Sequence, residues 1–236
     1  MKVLFLGNSH TYFNDMPRTF ARLCAAAGAG EPQTVLLAHS ARPLSWHLEE
    51  YFELRYNLLY GGYDYCVIQQ QAHPFPGAQQ TARDGGRVIE LCRAAGTVPV
   101  LLMTWAERAA PQRQQAMTLA YRELAAQTGA LLAPVGEIWQ LLRQRSPEIE
   151  LFWRDGEHAS PLGDYLIAAT LCALLTGADP QALPSLGADF SGEEEIAFFD
   201  HPQVREDPAQ IETALEEASC AAIRQAIREV CAGADL

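Results

Sequence analysis

Ser9, Asp155 and His158 are the residues whose types can combine into a nucleophile, a base and a group that orients the base. Ser9 stands in Gly7-Asn8-Ser9-His10-Thr11, directly after the apolar run Val3-Leu4-Phe5-Leu6. A serine hydroxyl is a weak nucleophile until a base within hydrogen-bond reach takes its proton and a third group orients that base. Asp155-Gly156-Glu157-His158 places an acid and a histidine three residues apart, ahead of Ala159-Ser160-Pro161-Leu162-Gly163 and a long apolar segment. Each motif alone has an ordinary explanation, Ser9 as a helix N-cap and the Asp155–His158 pair as a surface ion pair in a turn. Their conjunction in one α/β pattern points to nucleophilic catalysis.

The elements that must position these residues are legible as periodicity. Short runs of apolar, β-branched or aromatic residues recur at 2–6, 34–38, 64–69, 98–103 and 130–134, and most are separated by segments with helical spacing. That alternation predicts a parallel sheet with helices on both faces. Helices are expected at 15–28, 44–58, 78–95, 111–128, 135–145 and 161–176, the last opened by Ser160 as N-cap and Pro161 in its first turn. Ser9 then sits in the turn after the first strand, and in an open α/β sheet such turns are where ligands bind. From Leu183 to Asp207 the composition turns to Pro, Gly, Asp and Glu around an Ile196-Ala197-Phe198-Phe199 patch. Asp207-Pro208 is expected to open a final helix, 208–231, whose stripe of Ile211, Leu215, Ala218, Ala222, Ala226 and Val230 would dock on the main body or on a second copy of the chain. The expected division is a catalytic body, 1–183, and an acidic extension, 184–236, within one globule.

A chain of 236 residues with 49% hydrophobic residues can bury a substantial core. Its net charge of −12 argues against nucleic acid or an anionic membrane surface as the main partner. Residues 186–236 carry twelve acids against three arginines, so the extension holds most of that charge and the body is close to neutral. The six cysteines (Cys24, Cys66, Cys92, Cys172, Cys220, Cys231) form no CxxC pair and mostly sit in apolar segments, which predicts small hydrophobes rather than a disulfide framework. His39, His47 and His201 lack metal-ligand spacing, so no metal site is expected. The amino-terminal residues enter the first strand without a signal-peptide pattern, and no run approaches the length of a membrane span. The expected location is the cytoplasm.

Gly7-Asn8-Ser9 near the amino terminus and Asp155-x-x-His158 near the carboxyl end resemble the SGNH (GDSL-type) hydrolase superfamily over about residues 1–177. Asn8 stands where the usual first block has aspartate. The resemblance implies a flavodoxin-like three-layer α/β sandwich with a five-stranded parallel sheet, and a serine esterase or deacylase acting on a small acyl ester, such as an acetyl ester, without a cofactor. It also implies roles. Ser9 is the nucleophile, His158 the base and Asp155 its orienting acid, with the oxyanion held by the Ser9 N–H, a second-block backbone N–H and a third-block side-chain amide.

Two blocks depart from the family's pattern. The second would be Ser40-Ala41-Arg42-Pro43-Leu44, where the usual glycine is missing; Ser40 or Ala41 could still donate, provided the local φ is negative. The third reads Gln69-Gln70-Gln71-Ala72-His73-Pro74 in place of Gly-x-Asn-Asp. Gln71 has a carboxamide able to donate as asparagine would, and Gln69, on the same side by strand alternation, is donor or support. Asn8, His10, Gln69 and His73 flank the expected pocket as substrate contacts. Trp105 and Trp153 could wall it, although core packing is their more ordinary use. Two other classes compete: a non-catalytic ligand-binding module on the same fold, because two blocks are altered, and a flavodoxin-like phosphate binder at the Gly7–Thr11 turn.

Overall fold

The computed structural model describes residues 1–187 and 215–232. Five strands, β1 (Lys2–Gly7), β2 (Gln33–Ala38), β3 (Tyr65–Ile68), β4 (Val98–Leu102) and β5 (Leu131–Ala133), form one parallel sheet in the order β2-β1-β3-β4-β5. The expected flavodoxin-like sandwich is therefore present. All five strands lie where the apolar runs place them, with no end shifted by more than one residue.

Helices cover both faces, and alternation along β1 shows how. Val3 and Phe5 face one layer, made by α2 (Met16–Ala26), α7 (Val135–Arg145), α8 (Pro161–Thr176) and the last helix, α9 (Glu217–Ala232). Leu4 and Leu6 face the other, made by α3 (Leu44–Glu49), α4 (Tyr51–Gly61), α5 (Ala78–Ala94) and α6 (Gln114–Thr128). The single helix expected at 44–58 is broken at Glu50, and the one expected from 111 starts as a 3-10 turn at Pro111–Arg113. Ser160 caps α8 as its sequence predicts, its Oγ accepting from Gly163 N–H at 3.1 Å.

The carboxyl-terminal expectation is corrected in part. Residues 188–214, including Ile196–Phe199, Asp207-Pro208, His201 and Ile211, lie outside the described residues. Within them, Leu215 and Glu216 are not helical, and the buried stripe of α9 runs through Cys220, Ile223, Ala226 and Ile227. Ala218 is exposed. The stripe is turned because the helix packs on both α7 and α8 of its own chain, and Arg224 is buried where it donates to Leu183 O at 3.0 Å and Tyr165 Oη at 3.2 Å. All six cysteines are unpaired thiols. No helix among the described residues is long and apolar enough to cross a membrane.

The chain leaves β1 toward β2 on one side and returns to β3 on the other, so the sheet's topological switch point lies between the carboxyl ends of β1 and β3, where a ligand crevice forms. Gly7-Asn8-Ser9 follows β1 and Gln69-Gln70-Gln71 follows β3.

Candidate active site

Ser9 opens a four-residue helix, α1 (Ser9–Tyr12), capped by Asn8, whose Oδ1 accepts from His10 N–H at 3.1 Å. Only glycine fits at position 7, because a Cβ there would stand 2.4 Å from Gln69 Oε1 and 2.5 Å from Thr11 Oγ1. The turn is tied down from three directions. Gln69 Oε1 accepts from Asn8 N–H at 2.8 Å and from the Thr11 hydroxyl at 3.0 Å. Asn8 Nδ2 donates to Arg42 O at 3.1 Å, and His47 Nε2 donates to Gly7 O at 2.8 Å. Burial lowers the His47 pKa more than that bond raises it, so the ring stays a neutral donor.

Asp155 and His158 sit on a hairpin-like loop, Leu151–Ser160. An antiparallel bridge joins Phe152 to Ala159, and Trp153 N–H donates to His158 O at 2.8 Å. Gly156 takes φ 74 at the turn, and its carbonyl accepts from Arg108 N–H at 2.8 Å. Trp105 Nε1 donates to Glu157 O at 2.9 Å, fixing the loop to the core, where Trp105 stacks on Trp139 at 4.2 Å between centroids. Trp105 is fully buried, so its use is the ordinary one, core packing.

The two loops bring the three residues into one chain of hydrogen bonds. His158 Nε2 lies 2.8 Å from Ser9 Oγ, and His158 Nδ1 lies 2.7 Å from Asp155 Oδ2. Asp155 Oδ1 also accepts from the backbone N–H groups of Glu157 at 2.9 Å and His158 at 3.0 Å. Burial alone would raise the Asp155 pKa, but the bonds from Glu157 N–H and from the His158 ring and N–H outweigh it and hold the carboxyl below its ordinary 3.8. An ionised Asp155 accepts from Nδ1–H, which leaves Nε2 with the lone pair that faces the serine hydroxyl.

On the oxyanion side the picture differs from expectation at several residues. Ala41 has φ 59, in the left-handed region, so the negative φ on which its donor role was premised is absent. The cause is the tight turn from His39 O to Arg42 N–H, 3.1 Å, which needs such a residue at its third position. Ser40 and Ala41 are exposed, and among the described residues no protein acceptor takes the N–H of Ser9, Ser40 or Ala41. Gln69 supports the nucleophile turn, its Oε1 accepting from Asn8 N–H and the Thr11 hydroxyl and its Nε2 donating to Gln70 O. Gln70, which sequence reasoning passed over, bridges the second and third loops, its Oε1 accepting from Leu44 N–H at 3.1 Å and Gln71 N–H at 2.8 Å. Gln71 is half-buried and its Nε2 reaches His73 O at 3.3 Å.

The expected substrate contacts are also revised. Asn8 is buried and its side chain is spent on the cap and on Arg42 O, so it faces protein rather than ligand. His10 is buried and the His73 side chain is only 7% exposed in the wall beside His158, with ring centroids 4.9 Å apart. Burial pushes both pKa values down, for His10 well below 6.5. The Glu107 carboxylate stands 3.2 Å from His73 Nδ1. Phe13 and Asn14 were missed: Phe13 stacks on His158 at 4.3 Å, and Asn14 Nδ2 donates to Ala159 O at 3.1 Å. One signal was present, since Phe13 lies four residues past Ser9 and therefore one helical turn away.

A serine, a histidine and an aspartate joined in this order have the geometry of a nucleophilic triad. They sit at the carboxyl ends of a parallel sheet. No family profile matches the sequence and no curated protein matches it. Solved structures do. A protein from Slackia heliotrinireducens described as a candidate SGNH hydrolase is 29% identical, with a TM-score of 0.64 over 74% of this chain and 98% of its own. A lipase/acylhydrolase from Enterococcus faecalis is 16% identical, with a TM-score of 0.63 over 75% of this chain and 95% of its own. An acetyl xylan esterase is 14% identical, with a TM-score of 0.61 over 74% of this chain and all of its own. The fold is that of the SGNH hydrolases.

Proposed function

We propose that this protein is a serine hydrolase that cleaves a small acyl ester through an acyl-enzyme on Ser9. The observation that carries the reading is the unbroken chain from Ser9 Oγ through the His158 ring to Asp155, with links of 2.8 and 2.7 Å. The fold shared with a lipase/acylhydrolase and an acetyl xylan esterase supports it.

In this mechanism Ser9 Oγ attacks the ester carbonyl carbon while His158 Nε2 takes the hydroxyl proton, and the carbonyl π electrons move onto oxygen. Asp155 keeps the imidazole in the Nδ1–H tautomer and stabilises the imidazolium. The Ser9 N–H, the Ser40 N–H and the Gln71 carboxamide hold the oxyanion. Collapse breaks the bond to the alkoxy group, which takes the proton from His158 and leaves. Water then attacks the acyl-Ser9 carbonyl with His158 again as base, releasing the carboxylic acid and restoring the Ser9 hydroxyl.

The test is hydrolysis of a panel of short-chain aryl esters and acetylated sugars by the intact chain and by Ser9→Ala. Turnover that the Ser9 variant loses supports the reading. Turnover that it keeps, or no turnover of any ester by the intact chain, favours a ligand-binding module on the same fold.

A further inference from the structure

The two hydrogen bonds of His158 lie in the plane of its ring. They fix the ring along the line between its nitrogens but leave it free to rock about that line, and rocking, which keeps both nitrogens in place, tilts the in-plane lone pair of Nε2 away from the serine hydroxyl. Two other rings meet the imidazole face-on. His10 stacks on it at 4.5 Å between centroids and 24° between planes, and Phe13 at 4.3 Å and 20°. Two rings at those distances and angles would overlap each other on one face, so they occupy opposite faces.

We propose that His10 and Phe13 are positioning residues that clamp the His158 imidazole between their rings, so that the short segment carrying the nucleophile also sets the position of the base. The proposal rests on the triad reading above and adds a role that the triad does not require.

The clamp is itself held. Phe13 N–H donates to Ser9 O at the end of α1, which couples the ring to the nucleophile's own backbone. The His10 ring leans on Trp105 at 5.5 Å and on His73 at 4.9 Å. Trp105 lies on the core and donates to the Glu157 carbonyl, on the residue before His158. From the following residue, Asn14 holds Ala159 O, one position past His158, and Asn14 and Asp15 take left-handed φ values of 48 and 53 to turn the chain there. Ser9, His10, Phe13 and Asn14 thus tie six residues of chain to His158 and Ala159 of the base-bearing loop.

The clamp also suits the charge that appears in the reaction. When His158 takes the serine proton it becomes a cation between two ring faces, and an aromatic face attracts a cation. Burial keeps the His10 ring uncharged well below the ordinary histidine range, so it places no like charge against the imidazolium.

The experiment measures kcat, KM and the rate of Ser9 labelling by a fluorophosphonate for His10→Ala, His10→Phe and Phe13→Leu, alongside Ser9→Ala and His158→Ala. A small displacement of a reacting group costs rate rather than affinity, so His10→Ala and Phe13→Leu should lose about tenfold or more in kcat with KM nearly unchanged. Labelling should slow in proportion, and His10→Phe, which keeps a ring on the face, should restore most of the loss. Retention of kcat within about twofold in both ring deletions overturns the clamp, and so does a His10→Phe variant as impaired as His10→Ala, because the imidazole nitrogens rather than the stacked face would then carry the effect. If His10→Ala does not fold, His10→Phe and Phe13→Leu decide by the same kcat and labelling criteria. Activity surviving in Ser9→Ala or His158→Ala would remove the triad reading instead, so the two failures are distinguishable.

Discussion

The proposed triad side and the proposed oxyanion side of this site are built in different ways. Ser9, His158 and Asp155 meet through side-chain hydrogen bonds of 2.7 and 2.8 Å between loops 149 residues apart at their widest. The opposite side is built from backbone N–H groups of an exposed turn and from three consecutive glutamines, two of which hold loops together. Chemistry on the first side is carried by residue identity. On the second it is carried by conformation, and that difference sets both how the two sides fail on mutation and how readily each is read from sequence.

The largest expected effect is on the triad side. Ser9→Ala and His158→Ala should each lower kcat by about 10³-fold or more while leaving the melting temperature close to that of the intact chain. A steady-state assay with a calorimetric scan checks both halves.

Across the site, the comparison predicts that Gln71→Ala and Gln69→Ala differ in kind. Loss of a direct oxyanion donor lowers kcat by about 10²–10³-fold with little change in stability, which is the expectation for Gln71. Loss of Gln69 leaves the buried Asn8 N–H and Thr11 hydroxyl without their acceptor and should cost about 1–3 kcal/mol of stability for each unsatisfied group. Equal melting temperatures for the two variants would collapse the distinction between donor and support.

Acid should act on the buried histidine wall. Burial holds the pKa values of His10, His47 and His73 below 6.5 in the folded chain. Depressed folded values mean that the unfolded chain binds more protons as pH falls through 6.5, so the stability they contribute is full above that pH and declines below it. Asp164, whose carboxyl burial raises well above 3.8, has the opposite sign, but it is one proton against three. The melting temperature should therefore drop from pH 7 to pH 5. A level or rising value would contradict the burial of these rings.

The smallest effect is expected at Ala41. Relieving a left-handed alanine is worth about 1 kcal/mol before the added freedom of the unfolded glycine chain offsets part of it. Ala41→Gly should thus leave kcat within about twofold and stability unchanged or slightly higher. A larger loss of kcat would mean that the alanine methyl itself contacts substrate.

The same contrast governs what the sequence reveals. The sheet was legible because strands buried on both faces are continuous apolar runs, and Ser160-Pro161 marked the start of α8 through ordinary capping chemistry. Ser9 and Asp155-x-x-His158 were legible because triad chemistry calls for those side-chain types, and the structure brings them within hydrogen-bond reach. Ala41 was not, since its left-handed φ comes from the turn between His39 and Arg42 and no residue type announces it. Gln69 could not be assigned from strand alternation, because donor and support project on the same side. Gln70 acts through a tertiary contact with Leu44 that local periodicity does not encode, and for Phe13, which stacks on His158, the one local pointer was its place a helical turn past Ser9. For α9, a stripe drawn on a single helical face missed Ile223 and Ile227, because two neighbouring helices pack against it at once.

Activation of Ser9 by His158 can be read out by covalent labelling. The chain is exposed to a fluorophosphonate and the adduct located by peptide mass spectrometry, in parallel with His158→Ala. One adduct is expected, on Ser9, formed rapidly in the intact chain and slowed by orders of magnitude in the variant. An adduct on another residue, or labelling of Ser9 at the same rate without His158, would contradict that activation.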